Sequence, residues 1–567
     1  MTTTPRAFLL SSILLLLPAL AAAAPSCGDL ASHMPASAAS FAAFREAVAS
    51  SLRQAGDAAT AERVEALVAE QPVPATEASL ASCLLRRYTV ARYGDRMVSD
   101  LQQMITFRTF AVEGKPNWDL PELVRQREWL QRKAGELGLS FKSYDGRVDE
   151  ITLAGPEPIL AVLTHGDVQD VQNQEWSSPP WEAKLVGDRI IGRGTEDDKG
   201  PVIATLYSMA ALRDTGWPLG MSVRLLVANG EETSWDEIPY YLERAPKPAM
   251  TFGIDAAYPI VHAQKGYGVL TLAGKGAAKP KKAEWWIVEM SGGSGMSIIP
   301  EKGEAVLETS RYPEGALTEL KRRAAEWSAA HPPARLTVQQ EPGLRFDVIA
   351  EGKGGHSSEP KSGHNALADL VAFLATLPLK MDARGALTSF VASTVSTETD
   401  GRSLGIATHD EGIGDLTVNL SFLREKEGAP VAEINLRVPR GISNEEIQRR
   451  VTAKAAEFQK RTGAAVEVQS ALLSEPHWAP PEGPLVKSLL EVWEEVTGTP
   501  GKPIAIGGGT QARLFPGGVD FGPAVSMEHY RGHGTDEYLT VDELHRIAEL
   551  TAAALWKLAG TGAGPSS

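Results

Sequence analysis

Residues 159–170 read ILAVLTHGDVQD. The apolar run from Ile159 to Leu163 has no polar alternation and is too short for a typical helix, so it reads as a strand buried on both faces. His165 and Asp167 follow at its carboxyl end. Two further runs have the same character, Val223–Val227 and Met250–Ile254, and Gly200–Leu212 between the first two strands reads as a helix. Pro121–Leu137 reads as another helix. Strand, helix, strand in this order calls for an α/β fold, a mostly parallel sheet with helices on both faces. In such sheets ligands bind beyond the carboxyl ends of the strands.

Working outward, 567 residues are too many for one compact core, and two or three domains are expected. The style changes after Gly266: Lys275–Lys282 is rich in Gly, Ala, Lys and Pro, and mixed strand and helix material continues to Pro476. The first style resumes from Leu485. The expected organisation is therefore one domain from 88–272 and 477–567, with an α+β domain, 273–476, inserted into it.

Residues 25–87 are expected to form a helical extension, with Phe41, Phe44, Val48 and Leu52 at helical spacing. The only cysteines, Cys27 and Cys83, flank it, and in an oxidising compartment they most simply form one disulfide. Residues 1–24 hold Arg6, an apolar run from Phe8 to Leu20 and four alanines, the make-up of a cleaved signal peptide. A periplasmic or secreted protein is expected. Pro25 and Ser26 make Cys27 a poor lipid-attachment site. No apolar stretch reaches the ~20 residues a membrane span needs.

The formal net charge is −15, with 43% hydrophobic and 22% charged residues. That balance argues against nucleic acid, whose phosphates select for clustered Lys and Arg. It is the ordinary charge of a soluble protein and does not itself name a partner.

Five short clusters carry chemistry: THGDVQD (164–170), GRGTEDDKG (192–200), ANGEETS (228–234), FGIDAAY (252–258) and RGHGTDEY (531–538). Each alone reads as an ordinary turn or helix start. Their shared position after buried strands or Gly-rich returns to the sheet is what chance would not produce. Together they supply His165, Asp197, Glu232, Asp255 and His533. With no free thiolate, two His and three carboxylates suit two divalent ions, one carboxylate bridging them. Asp167 lies two residues from His165, on the same side of an extended backbone, where a carboxylate orients the imidazole. Glu231, next to Glu232, is placed to act as general base.

These clusters, with IGGGTQAR (506–513), resemble the di-zinc peptidase family of aminoacylase-1, carboxypeptidase G and the bacterial dipeptidases similar to carnosinase. The likeness runs from about Tyr88 to the end of the chain. It implies two divalent ions, zinc foremost, one held by His165, Asp197 and Asp255 and the other by Asp197, Glu232 and His533. It also implies Asp167 as the orienting acid and Glu231 as the base. GKGGHSSEPKSGHNA (352–366) resembles the family's lid motif, which makes His356 the donor to the tetrahedral oxyanion. Arg437 in NLRVPRG matches the Arg that grips the substrate's terminal carboxylate. Gly507, Gly508 and Gly509 would let backbone approach the substrate. A long lid with His356 deep inside it resembles the doubled-lid dipeptidases and implies a monomer.

The resemblance thus implies an exported dipeptidase acting on small peptides. Deacylation of N-acyl amino acids would use the same metals and Arg437, and an inactive peptide-binding protein is the reading outside enzymes. Two departures bear on the substrate: Ser297-Ile298-Ile299-Pro300 stands where many relatives have Asn-Met-Val-Pro, and Gln511 where close relatives have Tyr. GGSGMS lacks the last Gly of a serine-hydrolase elbow, and neither a Walker motif nor an H-E-x-x-H helix is present.

Overall fold

The computed structural model of the protein describes residues 26–171, 174–279, 282–310, 313–396 and 398–561. The expected leader, 1–24, lies outside the described residues.

Ile159–His165 is the middle of a nine-stranded sheet. On one side lie Ser222–Ala228, Val148–Leu153 and Ser140–Tyr144; on the other lie Met250–Gly253, Val519–Asp520, Val261–Gln264 and His477–Trp478. Ile504–Ile506 pairs with Val261–Gln264 off this path. The centre is parallel, because the helix Lys199–Thr215 carries the chain back across the sheet, and the margins are antiparallel. Register sets His165 opposite Ala228 and Leu163 opposite Gly253. The loops beginning at Gly166, Asn229 and Ile254 therefore leave the sheet along one edge.

Lys199–Thr215 is buried over nearly its whole surface, because it is sandwiched between the sheet and the helices Ala78–Ile105 and Val541–Ala559. The amino-terminal segment belongs to the same core. Phe41, Phe44, Val48 and Leu52 of the helix Phe41–Gln54 are buried in one continuous cluster with Leu160, Val162, Leu206 and Trp556. Phe41 meets Tyr88 and Trp217 edge-on, and the Tyr88 and Tyr93 hydroxyls both donate to Asp214 Oδ2. Cys27 and Cys83 form a disulfide with Cα atoms 5.5 Å apart. The expected border at residues 87 and 88 falls inside the helix Ala78–Ile105, so there is no separate extension. That helix is buried on several sides and its sequence carries no break where the border was placed.

The second sheet has eight strands among the described residues, all antiparallel, and its core is shared with Pro313–Ala330, Ala366–Leu374, Ala383–Thr394 and Asn444–Thr462. It begins at Gly266, not at Ala273: Gly266–Ala277 pairs with Ala429–Val438 from its first residue, Gly266 facing Val438. A single residue, Lys265, separates this strand from Val261–Gln264 of the first sheet. Glycines at 266 and 268 blur the alternation of GYGVLTLAGKGA, which hid the strand. Gly266 is required by close approach, since a Cβ there would sit 2.6 Å from the Ser474 carbonyl. The stretch Lys275–Lys282 is likewise strand, not linker, as far as Ala277. Ala464–Ser474 closes the domain, and His477–Trp478 returns the chain to the first sheet.

Candidate metal centre and cleft

The edge created by the parallel strands gathers His165, Asp197, Glu232, Asp255 and His533. Their ligand atoms form two groups, His165–Asp197–Asp255 and Asp197–Glu232–His533, each with all atoms within 4.8 Å of one another. Asp197 is common to both. His165 Nε2 lies 2.8 Å from Asp197 Oδ1 and 3.7 Å from Asp255 Oδ1. His533 Nε2 lies 2.9 Å from Asp197 Oδ2 and 3.0 Å from Glu232 Oε1. Two nitrogens and three carboxylates converging in this way could hold hard-to-borderline divalent cations. The electrostatics agree: burial, then the Asp255 charge, pushes the Glu231 carboxyl well above its ordinary range, and burial lifts Asp255 to about 6. Carboxylates packed this closely call for cations between them.

His165 is oriented through Nδ1, which donates to the Asp167 carbonyl oxygen at 2.9 Å and leaves the Nε2 lone pair facing Asp197. The Asp167 carboxylate does something the sequence reading did not assign. It sits 3.7 Å from the imidazole and instead accepts the backbone amides of Glu231 and Glu232, each at 3.2 Å. It thereby fixes the loop that carries the candidate base and a candidate ligand. Gln169 Nε2 donates to Glu232 Oε2 at 2.7 Å and the Tyr530 hydroxyl to Asp197 Oδ2 at 2.5 Å. Both residues lie within or beside the quoted clusters, yet their types gave no reason to choose them.

A buried ion pair that sequence reasoning also missed ties the loops together. Arg193 Nη1 donates to Glu537 Oε2 at 2.8 Å, with both side chains almost wholly enclosed. Glu537 also accepts the amides of Gly194, Glu196 and Asp197 at 3.0, 2.9 and 3.1 Å. Arg193 Nη2 donates to the His533 carbonyl oxygen at 3.2 Å. One pair thus holds both Asp197 and His533. Both members stand inside GRGTEDDKG and RGHGTDEY, but only proximity across 344 residues of chain reveals the pairing. The peptide bond between Asp197 and Asp198 is cis.

The second domain contributes His356 and Arg437. The Ser358 amide donates to His356 Nδ1 at 3.2 Å, so the ring proton lies on Nε2, free to donate. His356 is exposed on one side, with Ser357 and Ser358 buried behind it. Lost hydration first, then the charges of Arg437 and His533, hold its imidazole below the ordinary range and therefore neutral near pH 7. Arg437 is buried and donates to Asn435 Oδ1 at 3.1 Å and Ser297 Oγ at 2.9 Å, both neutral acceptors. Ser297 thus orients that guanidinium. Gly507 touches the second domain: a Cβ there would sit 2.7 Å from Ser358 Cβ, while one at Gly509 would crowd Arg513. Gly508 has open space around it. Gln511 Nε2 donates to buried Glu237, a polar contact within the first domain.

The sequence profile described as Peptidase family M20/M25/M40 matches residues 161–557. A putative dipeptidase of Bacillus subtilis, YtjP, is 31% identical over 489 residues, 83% of this chain and 98% of that protein. The Beta-Ala-Xaa dipeptidase of Lactobacillus delbrueckii subsp. lactis is 29% identical over 423 residues, 74% of this chain and 85% of its own. Among solved structures, human carnosine dipeptidase 1 superposes with a TM-score of 0.50 at 13% identity, covering 86% of this chain and 99% of that one. This last likeness is one of fold. With two ligand groups sharing Asp197 at the edge of a parallel-centred sheet, and a profile match spanning both domains, the chain belongs to peptidase family M20/M25/M40.

Proposed function

We propose that the protein is an exported, monomeric dipeptidase that works with two divalent ions, zinc foremost. The observation that carries the reading is the pair of ligand groups sharing Asp197, with Glu231 beside them. Relatives described as dipeptidases align over nearly their full length. Bound there, the ions would lower the pKa of a water and polarise the scissile carbonyl.

The chain's own residues do the rest. Glu231, its loop fixed by Asp167, takes a proton from the attacking water and delivers it to the leaving amine as the C–N bond breaks. His356 donates from Nε2 to the developing oxyanion. Arg437, which has only neutral partners, holds the C-terminal carboxylate. Within one chain His356 comes near enough to feel the charge of His533, which supports a monomer. The Cys27–Cys83 disulfide and the leader-like residues 1–24 support export.

The test is a panel of free dipeptides, a tripeptide and N-acetyl amino acids, with added zinc and with a chelator. The expected result is chelator-sensitive cleavage of dipeptides, lost in Glu231→Gln while metal content stays at two per chain. Cleavage of acetylated compounds alone would make the protein a deacylase. Two bound metals without turnover of any of these would overturn the catalytic reading. Fractionation with amino-terminal sequencing tests export.

A further inference from the structure

Lys265 is the pivot between the two sheets, and its amide donates to the Ile506 carbonyl at 3.1 Å, immediately before Gly507. Its side chain is 7% exposed. Among the described residues no hydrogen bond or ion pair reaches its Nζ, and its electrostatic neighbours are Glu359 and Asp415, both beyond ion-pair distance, and Arg437. The stem is buried while the Nζ keeps contact with solvent, so a ligand reaching that point can pair with it.

Two residues on, Tyr267 lies on the same side of a nearly continuous extended run. Tyr267 faces Arg437 in register, and the Arg437 guanidinium stands 4.9 Å from its ring centroid. Arg437 is 5% exposed and has no acidic partner. Two cations on largely buried side chains therefore lie near one another beside Tyr267, in a protein whose net charge is −15. A third, Arg513, is already engaged: it donates to the carbonyls of Lys265 and Glu475 and so braces the pivot. Burial first, and then the Arg437 charge, lower the proton affinity of Lys265, while burial and the Arg513 charge lower that of Arg437.

One carboxylate would leave one of these cations unmatched. We propose that Lys265 and Arg437 form a subsite for two negative charges, so that preferred substrates are dipeptides with aspartate or glutamate at the carboxyl terminus. The Arg437 fork takes the α-carboxylate and Lys265 the side-chain carboxylate. Ser358 of the second domain is set against Gly507. The inference rests on the dipeptidase reading.

The experiment compares Ala-Asp with Ala-Asn and Ala-Glu with Ala-Gln, pairs matched in shape, using the zinc-loaded full chain and its Lys265→Met and Lys265→Arg variants. Wild type should favour each acid over its amide by about 10- to 100-fold in kcat/KM, the usual worth of a charge-assisted hydrogen bond. Lys265→Met should bring the acid-to-amide ratio to about 1, and Lys265→Arg should keep most of it. A wild-type ratio near 1, or Lys265→Met slowing acids and amides in parallel, would overturn the subsite; the wild-type ratio decides even if a variant fails to fold. If no dipeptide is cleaved, the dipeptidase reading falls, and thermal stabilisation by N-acetylglutamate against N-acetylglutamine judges the subsite alone. Stabilisation by the acid only, absent in Lys265→Met, supports it; equal or no stabilisation overturns it.

Discussion

Replacing Glu537 by alanine should cost stability and metal binding together. The carboxylate accepts four hydrogen bonds, one from Arg193 and three from the amides of Gly194, Glu196 and Asp197. Arg193 and Glu537 are 1% and 0% exposed, so neither water nor salt screens the pair. Truncation strands a guanidinium in the interior and leaves three amides without an acceptor. Breaking a buried pair from one side typically costs about 3–5 kcal/mol. Urea unfolding of the metal-free protein reads that loss, and isothermal titration with zinc reads the second effect, because the 194–197 loop carries Asp197. The double variant Arg193→Met, Glu537→Leu separates the two. An apolar pair of similar volume should recover much of the stability, but the three amides stay unheld and zinc affinity should stay low. If Glu537→Ala unfolds within ~1 kcal/mol of wild type and binds zinc as tightly, the pair is not what positions Asp197.

Phe44 is fully buried against Tyr88, ring centroids 5.7 Å apart, so Phe44→Ala should cost about 3–5 kcal/mol in urea unfolding; a loss below ~1 kcal/mol would mean the amino-terminal helix is not part of the main core. The disulfide closes a separation of 56 residues, and Cys27→Ser with Cys83→Ser should lower stability by about 2–4 kcal/mol under oxidising conditions and leave reduced wild type matching the variant. Asp520 is buried, accepts from Gln264 and Thr510 through Oδ2, and has no partner at Oδ1; burial first, then the Asp255 charge, lifts its carboxyl to about 8. The folded state thus keeps a proton that the unfolded chain releases near its ordinary pKa, so this stabilisation is full below about pH 4 and lost as pH rises through about 8. Asp520→Asn carries no such proton, and its stability relative to wild type should improve between about pH 5 and pH 8 in metal-free protein; a difference flat across that window would count against a protonated Asp520.

Much of the site was legible from ILAVLTHGDVQD outward. Buried parallel strands announce themselves as short apolar runs, because both faces are covered and no alternation survives. Polar residues at their carboxyl ends stand out against that background, which is why His165, Asp197, Glu232, Asp255 and His533 could be gathered without coordinates. The helix Lys199–Thr215 and the helix from Pro121 were visible for the same reason of local pattern. What was misplaced has a physical cause too. The amino-terminal segment read as an extension, since a helix's apolar stripe shows that it packs but not against what. Gly266–Ala277 was cut at Ala273, since glycines have no side chain to display alternation.

The sequence by itself therefore determined the fold class and which His and carboxylate residues gather at the sheet edge, all carried by residues near one another along the chain or by their place after a strand. Only the tertiary structure decided that the Asp167 carboxylate holds the Glu231–Glu232 loop, that Arg193 pairs with Glu537, and that Lys265 and Arg437 lie near one another without an acid between them. Each of these is a contact between groups far apart in sequence, or a choice among several hydrogen-bonding atoms of one residue. Such choices depend on which surfaces meet once the two sheets are joined, and no local pattern encodes that meeting.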